Sequence, residues 1–213
     1  MKMSTSTKNI FISFEGIDGC GKSTQVDLLI KKLNSLKIRS LLVREPGGSK
    51  IAENIRSILL DNSNRLMSNE TEALLMTASR AQLTREVIIP KLNEGFVVVA
   101  DRFQDSTIAY QGGGRGLDIS FLEMLNLFAT NHLIPNMTFY IDISAKEGLK
   151  RTISNEFDRI ENAGEAFQVR VRNEYLKLTK KEPQRVFLVD GTKTVTEIHE
   201  EIWSKIEKII WKI

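Results

Sequence analysis

Gly16-Ile17-Asp18-Gly19-Cys20-Gly21-Lys22-Ser23 satisfies G-x-x-x-x-G-K-[ST] at every fixed position. In this pattern the glycines let the backbone curl so that successive N–H groups point inward at phosphate oxygens. A helix opening near Lys22 adds the positive end of its dipole. Lys22 is then expected at the β- and γ-phosphates of a nucleotide, and the Ser23 hydroxyl on Mg²⁺. The flanks agree with this reading. The apolar run Ile10-Phe11-Ile12-Ser13-Phe14 precedes the turn as a strand, and Val26, Leu29, Ile30, Leu33 and Leu36 follow at helical spacing. Gly16 to Thr24 therefore reads as a phosphate-binding loop between a strand and a helix.

Outward from the loop the alternation continues. Ser40–Val43, Phe96–Ala100, Thr138–Ile141 and Val186–Val189 are short apolar runs. Between them lie helical patterns, from Glu70 to Asn93 with Pro90 bending the last turn, and from Val195 to Ile210. Strands apolar almost throughout are buried on both faces, as in a parallel sheet covered by helices. The expectation is an α/β protein, a three-layer α/β/α domain with a five-stranded parallel sheet. Residues 1–9 read as a flexible tail and 10–213 as one domain. Ligands of such sheets bind at the carboxyl ends of the strands. Glu15, Arg44-Glu45, Asp101-Arg102, Asp142 and Asp190 all fall there.

The chain's 213 residues suffice for one large core, with 41% hydrophobic and 27% charged residues excluding a disordered tail or a fibre. A net charge of +3 gives no electrostatic case for a nucleic-acid partner. The single cysteine, Cys20, excludes an internal disulfide and suits a reducing compartment. No apolar run approaches the ~18 residues needed to cross a bilayer, and Met1 to Lys8 lacks a secretory signal's apolar stretch. A cytoplasmic protein with no membrane partner is expected.

A phosphate loop alone serves kinases, GTPase switches and motor ATPases. The absence of N-K-x-D counts against a GTPase. Asp101 can hold Mg²⁺ directly or through its waters, and Arg102 can fork onto a phosphate; a strand-end ion pair is the alternative. Ser106-Thr107-Ile108-Ala109-Tyr110-Gln111 sets hydroxyl, phenol and amide groups on one helical turn, suited to a base edge and a sugar. The following Gly112-Gly113-Gly114-Arg115-Gly116 lets the chain bend away, and a flexible loop after a surface helix is an equal reading.

Arg44-Glu45-Pro46-Gly47-Gly48, Asp101-Arg102, Ala109-Tyr110-Gln111-Gly112 and Asp158-Arg159-Ile160-Glu161, together with the loop, resemble bacterial-type thymidylate kinase, in that family's order and from Ile10 to Asp190. The resemblance implies a P-loop kinase fold with a short lid, and transfer of the ATP γ-phosphoryl group to dTMP with Mg²⁺, giving dTDP and ADP. It implies ATP on Gly16, Ile17, Asp18, Gly19, Cys20, Gly21, Lys22, Ser23 and Thr24. Arg80 would meet the thymine edge and the acceptor phosphate region, while Arg56 and Arg102 hold the dTMP phosphate. Thr107 and Gln111 would read the base, Pro46 pack beside it, and Tyr110 crowd the sugar 2′ position. Asp18 and Glu45 would position the sugar, Mg²⁺ or its waters. Lys22, Arg102, Asp18 and a lid cation would then serve catalysis, with Ser23 and Asp101 at the metal.

The lid is expected over residues 150–161, with Arg151 first and Arg159 second as its transferring-phosphate cation, and Glu161 at its end. Ile153, Ser154 and Asn155 stand where many relatives place arginines. Met76 replaces the family's usual Phe on thymine, and Phe103 the usual Tyr after Asp-Arg. Cys20 is read as plain packing, and His132 and His199 as structural or solvated. A homodimer is also implied, with Ile119 to Leu133 able to supply its interface or simply the core. A kinase for another monophosphate such as dUMP is the nearest alternative, and a regulatory P-loop switch the more distant one.

Overall fold

The computed structural model describes residues 9–152 and 158–211. The tail expected over 1–9 lies outside them except for Asn9, and so does the lid stretch 153–157. Five parallel strands form one sheet in the order β2-β3-β1-β4-β5: β1 Phe11–Glu15, β2 Ser40–Arg44, β3 Val97–Asp101, β4 Met137–Asp142 and β5 Val186–Asp190. β1 pairs with β3 from Phe11 opposite Val98, and with β4 from Ile12 opposite Met137. The strand order turns at β1, so a crevice opens at the carboxyl ends of β1 and β3.

Alternation along the central strands divides the core. Ile12, Phe14, Val97 and Val99 join a large cluster with Leu29, Leu33, Phe139, Tyr175, Ile202 and Ile206. Phe11, Val98 and Ala100 belong to a second cluster with Leu83, Ile88, Leu92 and Phe103. The helices are α1 Lys22–Ser35, α2 Lys50–Leu60, α3 Asn69–Leu83, α4 Ile89–Asn93, α5 Gln104–Thr107, α6 Ile119–Thr130, α7 Ala145–Arg151, α8 Glu165–Lys181 and α9 Val195–Ile210. Capping is local and conventional: Thr194 and Glu197 close a capping box on α9, and Asp118 accepts from Phe121 N at the start of α6.

Two helices depart from the expected regularity. The pattern from Glu70 to Asn93 is interrupted before its proline, at Thr84–Ile88, where the turn widens and Ile89 N bonds to Thr84 O. Pro90 has no N–H and its ring crowds the preceding turn, and an extra residue there relieves both. The second widening, Ile108–Gly114, continues α5. Its close shows in Arg115 N donating to Tyr110 O at 2.9 Å. The glycines here are packed helix rather than a flexible loop. A Cβ on Gly113 would stand 2.5 Å from Glu174 Cβ, and one on Gly114 2.5 Å from Phe167 Cε2, so only glycine lets this segment lie against α8.

Candidate active site

At the carboxyl ends of β1 and β3 lies a cleft of about 370 Å³. Its walls carry Lys22 and Ser23 from the phosphate loop, Glu45 and Pro46 after β2, Arg56 from α2, Met76 and Arg80 from α3, and Asp101 and Arg102 from β3. Thr107, Tyr110 and Gln111 come from α5 and its widened continuation. Asp18, Arg44, Ser106, Asp158 and Glu161 complete most of the lining.

The loop folds as its glycines demand. A Cβ on Gly16 would lie 2.6 Å from Ile141 O, and one on Gly19 2.4 Å from Gly148 O, so strand and helix close directly onto the loop backbone. Lys22 is buried, and its ammonium donates to Gly16 O at 3.0 Å and Ile17 O at 3.1 Å. Cys20 is buried and packs in the large core cluster. Thr24 is exposed on the first turn of α1 and does not line the cleft.

Ser23 Oγ donates to Asp101 Oδ2 at 3.2 Å. This pairs two hard oxygen ligands beside the loop, which fits Mg²⁺, an ion that takes one or two protein oxygens and completes its shell with phosphate and water. No cluster of three or more His, Cys, Asp or Glu able to hold a metal occurs among the described residues.

Arg102 adopts a left-handed backbone, φ 71°, and its guanidinium donates to Gly16 O at 2.7 Å and Asp18 Oδ1 at 2.6 Å. Its face covers the Tyr110 ring at 4.9 Å. Burial pushes the Asp18 carboxyl up, but Arg102 and Lys22 together pull it below the usual aspartate range. Arg56 donates to Pro46 O at 2.7 Å. Burial, then the neighbouring Arg44 guanidinium, lowers the Arg56 pKa, the signature of cations gathered at one end of the cleft.

Arg80 is the most constrained cation in the site. Its Nε donates to Glu45 Oε2 at 2.6 Å, Nη1 to Thr107 Oγ1 at 2.6 Å and Asn126 Oδ1 at 2.7 Å, and Nη2 to Phe103 O at 3.0 Å. Burial outweighs Arg80 at Glu45 and holds that carboxyl up to about 7. Glu45 Oε1 is buried with no hydrogen-bond partner among the described residues. Beneath the pocket Glu15 accepts from Ser13, Phe103 N, Ser106 and Tyr175, and burial raises its pKa.

Several expected residues stand elsewhere. Arg151 lies at the C-terminal end of α7 and donates to Glu147 Oε1 and Gly191 O, both at 3.0 Å, outside the cleft. Arg159 is turned away too: Nε donates to Leu59 O at 2.8 Å and Nη2 pairs with Glu72 Oε2 at 2.7 Å. The strand-end carboxylates Asp142 and Asp190 do not join the site either. Asp142 is taken by Arg172 and Tyr140, and Asp190 by Thr192. Phe103 is buried edge-on to Phe11 at 4.7 Å, so the hydroxyl absent there leaves an apolar contact.

Asn126 and Glu72 escaped the sequence reading. Asn126 was detectable as a polar residue on the buried side of α6, between Leu122 and Ala129. Glu72 resembles any acidic residue in a helix's first turn, and nothing local separates it from Glu70.

The family model for thymidylate kinase matches residues 14–202. A thymidylate kinase of Thermosipho africanus (strain TCF52B) is 49% identical over 199 residues, 93% of this chain and 98% of its own. One of Kosmotoga olearia is 48% identical over 194 residues, 91% of this chain and 93% of its own. The crystal structure of thymidylate kinase from Ehrlichia chaffeensis superposes with a TM-score of 0.77 at 31% identity, covering 93% of this chain and 98% of that one. With the phosphate loop, the arginine-lined cleft and the sheet order in agreement, the chain belongs to the thymidylate kinase family.

Proposed function

We propose that this protein is an ATP-dependent kinase that transfers the γ-phosphoryl group of ATP to dTMP, releasing dTDP and ADP. One observation carries the reading: a phosphate loop opens into the same cleft as a second, separately built polar pocket, so donor and acceptor can share one space. Phosphoryl transfer asks mainly for positioning and charge neutralisation. Lys22 trades its two carbonyl acceptors for β- and γ-phosphate oxygens. Arg102 steadies Asp18 and, with Arg56, faces the acceptor phosphate. Ser23 and Asp101 would hold Mg²⁺, which when bound neutralises charge on the transferring phosphates. Arg151 remains the cation assigned to the lid, because its carboxylate partner Glu147 is half-exposed, whereas Arg159 is engaged by buried Glu72.

On the acceptor side Arg80, Thr107 and Gln111 read the base edge, while Met76 and Pro46 pack along the ring. Tyr110 crowds the sugar where a ribonucleotide would carry a 2′ hydroxyl, and Asp18 and Glu45 fix the remaining polar groups. The working assembly is a homodimer. Ile51, Ile58, Leu74, Phe121, Met124 and Phe128 are exposed on α2, α3 and α6, which pack side by side, and Phe128 is 78% exposed. The setting is the cytoplasm, which suits one unpaired thiol. No described helix is long and apolar enough to cross a membrane.

The test is ADP release with Mg·ATP across a panel of nucleoside monophosphates. Fast turnover with dTMP, weaker with dUMP and negligible with the ribose analogue of dTMP supports the reading. Preference for another monophosphate, or no stimulation by any, overturns it.

A further inference from the structure

Glu72 sits in the first turn of α3 with a side chain only 1% exposed, yet its carboxylate is surrounded by donors. Oε1 accepts from Gln111 Nε2 at 2.9 Å and Arg115 Nε at 3.0 Å. Oε2 accepts from Arg115 Nη2 at 2.9 Å and pairs with Arg159 Nη2 at 2.7 Å. Arg115 is held in turn by the Phe167 ring, 4.5 Å from its guanidinium carbon. Burial would raise the Glu72 pKa, but the hydrogen bonds from Arg115 and Gln111, with the charges of Arg115 and Arg159, bring it below the usual range.

An ionised carboxylate accepts hydrogen bonds and donates none. A glutamine beside it must therefore present its NH₂, which leaves the carbonyl oxygen for whatever lies on its other side. Gln111 lines the cleft close to Arg80 and Thr107, so that other side is the acceptor pocket. Arg80 supplies only donors. Together the two residues offer an acceptor beside a donor. Thymine and uracil present the complement, a ring N3–H beside O4. Cytosine presents the opposite, a bare N3 beside an amine.

We propose that Glu72 is a positioning residue that orients the Gln111 carboxamide, and that through this orientation the pocket accepts a pyrimidine with a ring N–H and rejects cytosine. The inference rests on the dTMP reading above and deepens it. Glu72 does not touch the nucleotide; its effect passes through Gln111.

The experiment measures kcat/KM for dTMP, dUMP and dCMP, with dCMP also assayed as a competitive inhibitor, in the wild type and in Glu72→Gln. The amide in the variant can donate or accept, so Gln111 is free to turn over. The dTMP/dCMP preference should fall by about tenfold or more. The dTMP/dUMP preference should hold within about twofold, because both bases show the same edge. Uniform loss on all three acceptors would mean a structural role and overturn the proposal. In a Gln111→Ala background, Glu72→Gln should leave the dTMP/dCMP ratio unchanged, and a fall as large as in the wild type would also overturn it.

Should Glu72→Gln not fold, the wild type answers by NMR. The Gln111 side-chain amide should show one downfield, slowly exchanging proton, and free-amide behaviour would end the proposal. Failure of the wild type on dTMP, by contrast, overturns the proposed function itself.

Discussion

The proposed acceptor half and the proposed donor half of the cleft are built differently. Around the proposed acceptor pocket, charged groups are buried and multiply held: Arg80 makes four hydrogen bonds to four residues, and Glu72 is met by Gln111, Arg115 and Arg159. On the donor side the groups are lightly held. Lys22 rests on two backbone carbonyls and Ser23 is exposed, while Arg151, outside the cleft, is half in solvent. A buried pair loses stability when one partner is removed, because the other charge stays behind in a poor solvent. A group held by carbonyls and water can leave without that penalty. Acceptor-side substitutions should therefore damage folding and activity together, and donor-side ones activity alone.

Lys22→Ala offers the largest effect and the sharpest break. It should lower kcat by about 10³-fold while thermal unfolding stays within about 1 kcal/mol of the wild type. A large loss of stability there would erase the contrast. Arg80→Ala should do the reverse in kind. It strands buried Glu45 and should cost about 3 kcal/mol of folding stability, read by urea unfolding. Gly114→Ala drives a Cβ toward Phe167 and should cost about 2 kcal/mol. Unfolding at wild-type denaturant would show that the widened helix can shift on α8.

A paired comparison tests the two arginines proposed for the lid. Arg151→Ala should reduce kcat roughly tenfold with little change in melting, since it and its carboxylate partner Glu147 are both half-exposed. Arg159→Ala should lower the melting temperature by removing a cation from buried Glu72. Equal kinetic losses with equal melting would remove the distinction between them.

A further effect concerns pH. Glu45 is raised from 4.5 to about 7 by burial, against the pull of Arg80, whereas Asp18 is lowered. A carboxyl raised on folding contributes stability that is fully present below pH 4.5 and is lost as pH rises through about 7. Stability should therefore decline across that window, and Glu45→Gln should flatten the decline in unfolding curves collected from pH 4 to pH 8. Asp18→Asn should leave that window unchanged, because its titration lies lower.

Local chemistry made much of this protein legible from its sequence. The phosphate loop was readable because only glycine tolerates its backbone conformations and close approaches, and only a lysine with a hydroxyl neighbour suits phosphate and metal. The central strands were readable because burial on both faces leaves apolar runs, as in Val97–Ala100, whereas the edge strands β2 and β5 kept apolar runs although each is partly exposed. Arg56, Arg80 and Arg102 were legible as arginines within family motifs, but their geometry was not.

Tertiary structure alone decided which partners those residues take. Tyr175 reaches Glu15 across 160 positions of chain, Arg102 reaches Asp18 across 84, and Gln111 reaches Glu72 across 39. It also decided that Arg159 faces Glu72, that the Gly112–Gly114 run packs as helix, and that Asp142 pairs with Arg172 away from the cleft. Periodicity and turn chemistry act over a few residues, so they are written in the local sequence. The partner of a buried charge is set by which elements the sheet order brings together, and no short window of sequence contains that order.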